Sequence, residues 1–225
     1  MRKALLLFTS LLILCLPLLA QEQRELSTPL AKQFPAKELN LELRFSAELQ
    51  RLYFQVNAIA DKASVDESAL VGFFLPKAAR IQAMQIDNKP IRFRIYRNLT
   101  FSPPLEDESI LADDSPVRYC VIPMDNYSQF PDQVEIRIDY FLDMPAFEAN
   151  TFGQECTSLS PEQFWYPRSL SQGTDISLKL ITTPYFRLSL GEALIPCKDH
   201  DYRREHITKF KDNPNKPLSL TITKE

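Results

Sequence analysis

From Leu39 onward the chain alternates between apolar and polar side chains. Leu39, Leu41, Leu43 and Phe45 take every second place, with Asn40, Glu42, Arg44 and Ser46 between them, which is the two-residue period of a strand buried on one face. Leu52, Phe54, Val56 and Ala58 repeat it, followed by Tyr119 and Val121, then Val134, Ile136, Ile138 and Tyr140. Ile176, Leu178 and Leu180 continue the series, then Leu188 and Leu190, and finally Leu218, Leu220 and Ile222. Leu70 to Leu75 is instead an unbroken apolar run ending at Pro76. Ile81 to Ile86 leads through Asp87-Asn88 to Ile91, Phe93 and Ile95, the pattern of a hairpin. No stretch shows a helical period of similar clarity. Short strands between turn signals, without amphipathic helices, predict an all-β fold over residues 38–225: an antiparallel β-sandwich, with a barrel as the alternative.

The first twenty residues follow a different rule. Arg2 and Lys3 precede an apolar stretch from Ala4 to Leu19, which ends at Ala20 before the polar Gln21-Glu22-Gln23. This is the three-part layout of a secretory signal peptide, and it predicts cleavage after Ala20 and a periplasmic or secreted product. Pro17 interrupts the stretch, which falls short of the roughly 20 residues of a spanning helix. Cys15 is followed by more apolar residues, so the lipoprotein reading is the weaker one. No later segment is long and apolar enough to predict a transmembrane span. Residues 21–37 mix charges with Pro29 and Pro35 and show no period; they are expected to form a flexible leader.

Composition narrows the function. Loss of residues 1–20 would leave 24 Lys and Arg against 29 Asp and Glu, an acidic balance that argues against a nucleic-acid binder. With 44% hydrophobic and 24% charged residues the chain has a globular balance. Seventeen prolines against four glycines fit reversals built on fixed-φ proline and Asn/Asp turns.

Phe164-Trp165-Tyr166-Pro167 is followed by the alternating run Asp175 to Pro184 and then by Gly191. With the Leu75-Pro76 strand end, the Ile86-Asp87-Asn88-Lys89 turn and the strand from Val134 to Tyr140, this passage resembles the N-terminal β-sandwich domain of aminopeptidase N-like zinc metallopeptidases. The resemblance covers roughly residues 38–225 and implies a fold. It departs at Tyr185-Phe186, where the family often has a glycine. It carries no active site: His200 and His206 are the only histidines, so the His-Glu-x-x-His zinc helix of that family is unmatched, as is its Gly-Ala-Met-Glu-Asn motif. The sequence stops at Glu225, about where the catalytic domain would begin. No cofactor is expected.

Several side chains remain as candidates for chemistry. Cys120, Cys156 and Cys197 follow the signal; a Cys156–Cys197 disulfide is the favoured pairing, and closing that loop would contribute about 4 kcal/mol on a chain-entropy account. Cys120 reads as a core thiol. Trp165, Tyr166, Tyr185 and Phe186, with Phe164, offer an aromatic surface for sugar or peptide, against the competing reading that they pack into the core. Cys197, Asp199, His200, Asp201 and His206 contain metal-ligand types without a recognised spacing, and residues 198–211 read as a charged loop or short helix. The acidic segment Pro103 to Pro116 reads as a solvated loop, with calcium as its minor alternative. Asn98-Leu99-Thr100 and Asn126-Tyr127-Ser128 are glycosylation sequons.

The expected function is that of a non-catalytic exported module that binds or assembles with an unidentified protein partner, for example by strand addition at a sheet edge. A carbohydrate- or peptide-binding module using exposed aromatics is the second reading. The third is an enzyme of unrecognised type, with Asp113, Asp114, Asp139 and Asp143 as candidate acid/base groups.

Overall fold

The computed structural model describes residues 30–65, 70–96, 99–122, 124, 132–150, 153–168, 170, 173–213 and 216–225. The signal peptide, the first part of the leader and the second sequon, with Asn98 of the first, lie outside these residues. In chain order the strands are β1 (Leu30–Gln33), β2 (Glu38–Ser46), β3 (Arg51–Asp61), β4 (Leu70–Pro76), β5 (Arg80–Ile86) and β6 (Lys89–Pro90). They continue as β7 (Arg94–Ile95), β8 (Thr100–Phe101), β9 (Val117–Ile122), β10 (Gln133–Asp143), β11 (Glu148–Ala149) and β12 (Glu155–Leu159). The last six are β13 (Asp175–Thr182), β14 (Phe186–Leu190), β15 (Ala193–Leu194), β16 (Cys197–His200), β17 (Arg203–Lys211) and β18 (Leu220–Lys224).

An eight-stranded sheet, ordered β16-β17-β13-β2-β3-β10-β5-β6, forms one layer. Two five-stranded sheets, β7-β9-β4-β1-β8 and β11-β12-β18-β14-β15, form the other. Most pairings are antiparallel; β13 with β2, and β1 with both β4 and β8, are parallel. The fold is therefore an all-β sandwich.

Alternation decides which way each strand faces. In β3 the even positions from Leu52 to Ala60 are all buried while the odd ones between them stay partly exposed, and β2, β10 and β13 show the same pattern. One continuous core joins these side chains to Val71, Phe73, Leu75, Cys120 and Ile122 of the first small sheet and to Leu159, Leu188, Leu190, Leu220 and Ile222 of the second. Both small sheets thus lie on the same face of the large one, and its other face meets solvent. At the centre, Phe54 stacks on Tyr140 with ring centroids 4.5 Å apart, and Trp165 closes over Phe54 at 6.3 Å. The Tyr140 hydroxyl donates to the Trp165 carbonyl (2.8 Å), and the Trp165 indole N–H donates to the Leu218 carbonyl (2.7 Å), so neither polar tip is stranded.

β4 is apolar throughout because both of its faces are covered. Val71, Phe73 and Leu75 face the main core, while Phe74 joins Ala31, Phe101, Val117, Tyr119, Val121 and Phe164 in a second cluster. At Gly72 a Cβ would collide with the Cys120 carbonyl of β9, so only glycine permits this approach.

Three expectations need correction. The sandwich begins before residue 38: from Leu30 the chain forms β1, which pairs with β4 and β8, and Ala31 and Phe34 are fully buried. Two or three apolar residues among charges give too short a pattern to display a period. The hairpin at Asp87-Asn88 exists, with both residues at positive φ as a tight two-residue turn requires. Its return arm, however, ends at β6, and β7 crosses to pair with β9 in another sheet. Residues 198–211 are not a loop or helix but the β16–β17 hairpin. The inner face of β17 carries Arg204 and His206, both buried, so its alternation is polar and invisible to a hydrophobic count.

Urea unfolding tests this assignment of faces: Phe54→Ala is expected to cost about 3–5 kcal/mol. Glu42→Ala, one step across the pleat from the core, is expected to stay within about 0.5 kcal/mol of the parent.

Candidate functional site

The outward side chains of the large sheet fall into register across five strands. Lys209, Ser177, Asn40, Asn57 and Arg137 form one rung, and Ile207, Lys179, Glu42, Gln55 and Asp139 the next. A third holds Glu205, Ile181, Arg44, Tyr53 and Phe141. Two depressions of about 350 and 250 Å³ are sunk into this face, and Glu42 and Gln55 line both. They form a shallow trough running across the strands.

Its floor is ordered by side-chain contacts. The Arg137 guanidinium donates to Asp139 (3.0 Å) and to the Gln55 carbonyl oxygen (3.0 Å). Beside them the Asn57 Oδ1 is buried and has no hydrogen-bond partner among the described residues. At one end Tyr53 packs on Phe141 (5.8 Å), whose ring lies beneath Arg51 and Arg80, and both arginines reach Asp143.

The sheet's β17 margin is a second distinctive feature. In an antiparallel strand each residue turns its N–H and C=O to the same side, and successive residues alternate. The Asp212 N–H donates inward to the Thr174 carbonyl (2.8 Å), whereas the Ile207 N–H donates outward to the Pro196 carbonyl (3.3 Å). Lys209 and Lys211 therefore also turn their backbone groups outward. β16 covers β17 only from Arg203 to His206, and beyond Ile207 no described strand pairs on that side. Among the described residues, the margin from Thr208 to Lys211 is an open edge.

The candidates read from sequence are placed elsewhere. Trp165, Tyr166 and Phe186 are buried at 0%, 1% and 6% exposure, and Tyr185 alone of that set is exposed; these residues do not form an aromatic surface. The reason is the pull of the core on Trp165 together with a buried ion pair. Arg168 donates to Asp212 (3.1 Å) and lies over the Phe164 ring (4.7 Å), while the Tyr166 hydroxyl donates to the other Asp212 oxygen (2.5 Å). Burial, reinforced by the Asp212 charge, pushes the Tyr166 phenol well above its ordinary range. The turn before Phe186 uses no positive φ, so Tyr185 can stand where the peptidases often have glycine.

Cys156 and Cys197 are free thiols and not a disulfide: the first lies on β12 and the second on β16, in different sheets. Cys120 is buried, and burial raises its thiol to about 12. Among the described residues no three His, Cys, Asp or Glu side chains gather to hold a metal. Asp199 is instead clamped by Arg204 (2.5 Å), which also bonds Glu225 (2.6 Å) and the Phe186 carbonyl (3.1 Å). Both carboxyls are held below their ordinary range by that guanidinium. In the acidic loop Asp107 caps a short 3-10 turn by accepting from the Ser109 N–H (2.9 Å). Asp139 and Asp143 share the outer face of β10 four residues apart, a separation of about 13 Å at the ordinary strand rise, and each is paired with arginine.

The trough residues were visible in the sequence only as the polar half of each alternation. The signal that marks them is the recurrence of amides at matching positions on β2 and β3.

The architecture, one broad sheet covered on one side by two small ones, is that of the N-terminal β domain of M1 zinc metallopeptidases. Among solved structures it is similar to yeast LTA4 hydrolase in complex with Bestatin, with a TM-score of 0.56 and 11% identity over 84% of this chain and 28% of that one. Native leukotriene A4 hydrolase from Saccharomyces cerevisiae gives a TM-score of 0.55 at 12% identity, with the same shares of each chain covered. An M1 zinc metallopeptidase from Deinococcus radiodurans bound to a Tyr-Ser-Ala substrate gives 0.50 at 10% identity, over 84% of this chain and 42% of that one. The chain thus spans well under half the length of these proteins, and at this identity the likeness is one of fold. No family model and no curated protein matches the sequence. Among the described residues no helix is long and apolar enough to cross a membrane.

His206 supplies a prediction for pH. Burial, with the nearby Arg204 charge, lowers its imidazole below the ordinary value of 6.5, against the pull of the Ile195 and Phe186 backbone. The unfolded chain therefore takes up the proton first, so the stabilising contribution is complete above pH 6.5 and is lost as pH falls through that value toward the depressed one. Between about pH 7.5 and 5.5, unfolding stability should drop more steeply in the parent than in His206→Gln. Equal slopes would refute the burial of the imidazole.

Proposed function

We propose that this protein is a non-catalytic, exported β-sandwich module of the cell envelope or the secreted set, which acts by binding a protein partner. The observation that carries the reading is the open edge of β17. Lys209 and Lys211 present N–H and C=O groups in strand register that no described strand pairs, and an extended segment could pair there. The exposed side chains beside that edge include Ile207, Lys209 and Lys211, which favours an extended acidic segment with an apolar residue. Edge lysines also discourage indiscriminate pairing, so the same residues select a charged partner over a second copy of this strand.

Export rests on the charged, apolar and small-residue layout of residues 1–20. The absence of catalysis rests on the two histidines: neither stands in a zinc-helix motif, and His206 is buried beside Thr182 (3.4 Å). The peptidase and hydrolase names attached to the similar structures belong to chains of which this fold is only a part.

Affinity capture from the native envelope tests the reading. The tagged parent, beginning at Gln21, is expected to recover one partner, and Lys209→Pro to lose it. The Lys209 N–H points away from β13, so proline at this edge position removes an outward donor and leaves the inner ladder intact. Recovery of no partner, or equal recovery by both, would contradict strand addition.

A further inference from the structure

We infer that a cavity in the seam between the two small sheets is a binding site for a free alkyl monocarboxylate, a fatty acid held with its chain inside and its carboxylate at the mouth. The site is separate from the β17 edge and does not depend on strand addition there.

The covering layer is built from two sheets that do not pair with each other, so a seam runs between them above the apolar face of the large sheet. Part of it is filled by the segment after β12: Phe164 packs edge-on against Phe74 of β4 (6.4 Å), and the Trp165 indole N–H donates to the Leu218 carbonyl ahead of β18. Where β4, β10 and β12 end, the seam stays open as a cavity of about 380 Å³, within the roughly 300–1,000 Å³ of small-molecule sites. Buried Pro76, Leu142 and Leu159, one from each sheet, line its inner part, with the exposed Pro116 and Pro145 beside them.

This lining offers hydrocarbon and little else. The three prolines carry no N–H, and each of their carbonyls already accepts a hydrogen bond. Pro76 accepts from the Ala79 N–H (3.0 Å), Pro116 from the Lys77 N–H (2.7 Å) and Pro145 from the Thr157 hydroxyl (2.8 Å). A peptide backbone entering here would meet no proline donor and only engaged carbonyls, so its own polar groups would be buried at a cost. Among the described lining residues there is no aromatic ring, hence no stacking surface for a planar ligand. Aliphatic walls suit a flexible alkyl chain instead.

The polar side chains stand at the mouth. Asp143 is held by Arg51 (2.7 Å) and Arg80 (3.5 Å) and calls for no cation from a ligand. The Lys77 ammonium has three donors; one goes to the Asp113 main-chain carbonyl (2.5 Å), a neutral acceptor, and no carboxylate of the described residues forms an ion pair with it. The exposed Gln163 amide adds further donors. An ammonium without a counter-charge on the rim of an apolar cavity matches a ligand with one carboxylate and a hydrocarbon chain.

The test is calorimetric titration of the chain beginning at Gln21 with butyrate, hexanoate, octanoate and decanoate, with decanol and 3-phenylpropionate for comparison. Affinity is expected to rise about fourfold per added methylene through the series, with decanoate bound more tightly than decanol. Ala78→Trp, on the lip beside β4, and Gln163→Trp, on the lip after β12, should each weaken decanoate about tenfold or more by filling the mouth, while melting close to the parent temperature. Lys77→Gln should weaken decanoate about tenfold and leave decanol unchanged. No saturable binding of any acid, an affinity flat with chain length, or decanoate binding indifferent to both tryptophan variants overturns the proposal. So does an equal effect of Lys77→Gln on decanoate and decanol, or tighter binding of 3-phenylpropionate than of octanoate. Capture of the β17 partner reads the other site and is expected to survive all three substitutions.

Discussion

The structure depends on a two-sided demand placed on β13, β2, β3 and β10. Each strand must give one face to the core and the other to water while both of its edges are occupied by neighbours. Only strict alternation meets that demand, because a slip of one residue would exchange the two faces. Long ladders, eleven residues between β3 and β10 and nine between β2 and β3, hold the register. The small sheets settle on the apolar face thus defined, with Trp165 joining the Phe54–Tyr140 stack to the segment before β18.

What is left for function follows from the same constraint. With the inner face sealed apart from the seam cavity and the central edges paired, recognition can use only that cavity, the outer side chains and the sheet margins. The outer side chains form a cross-strand trough with an unsatisfied amide oxygen in its floor. At the β17 margin, β16 is shorter than the strand it covers. Two polar clusters, one buried and one at the surface, keep these surfaces in place. Arg168 and Asp212 tie the Phe164–Tyr166 segment to the end of β17, and Arg204 ties β16 and β17 to Phe186 and Glu225. A buried pair such as Arg168–Asp212 adds little net stability but is costly to break, so it fixes position more than it strengthens the fold.

The fold was legible wherever burial was one-sided and apolar. β2, β3, β10 and β13 could be read residue by residue, and the unbroken run of β4 hinted at a strand covered on both faces. β1 and β17 were not legible. β1 is too short to show a period, and β17 buries an arginine and a histidine whose partners are distant in sequence. The aromatic residues misled for a related reason: composition cannot distinguish a ring on the surface from one whose polar tip has found an internal carbonyl. Cys156 and Cys197 are the two thiols left once Cys120 is read as a core residue, and that reading says nothing about the sheets that hold them. The trough was written in the sequence only as the polar complement of the core, and register, which sequence does not give, is what brings Asn40, Asn57 and Arg137 together.

Amide hydrogen exchange followed by NMR tests the central claim most directly, because it reads edge occupancy residue by residue. Amides of β2, β3 and β10 should exchange slowest. Within β17 protection should alternate, with Thr208 and Phe210 protected by β13 and Lys209 and Lys211 exchanging fast. Uniform protection along β17, or fast exchange throughout β3 and β10, would contradict a closed central ladder and an open β17 margin.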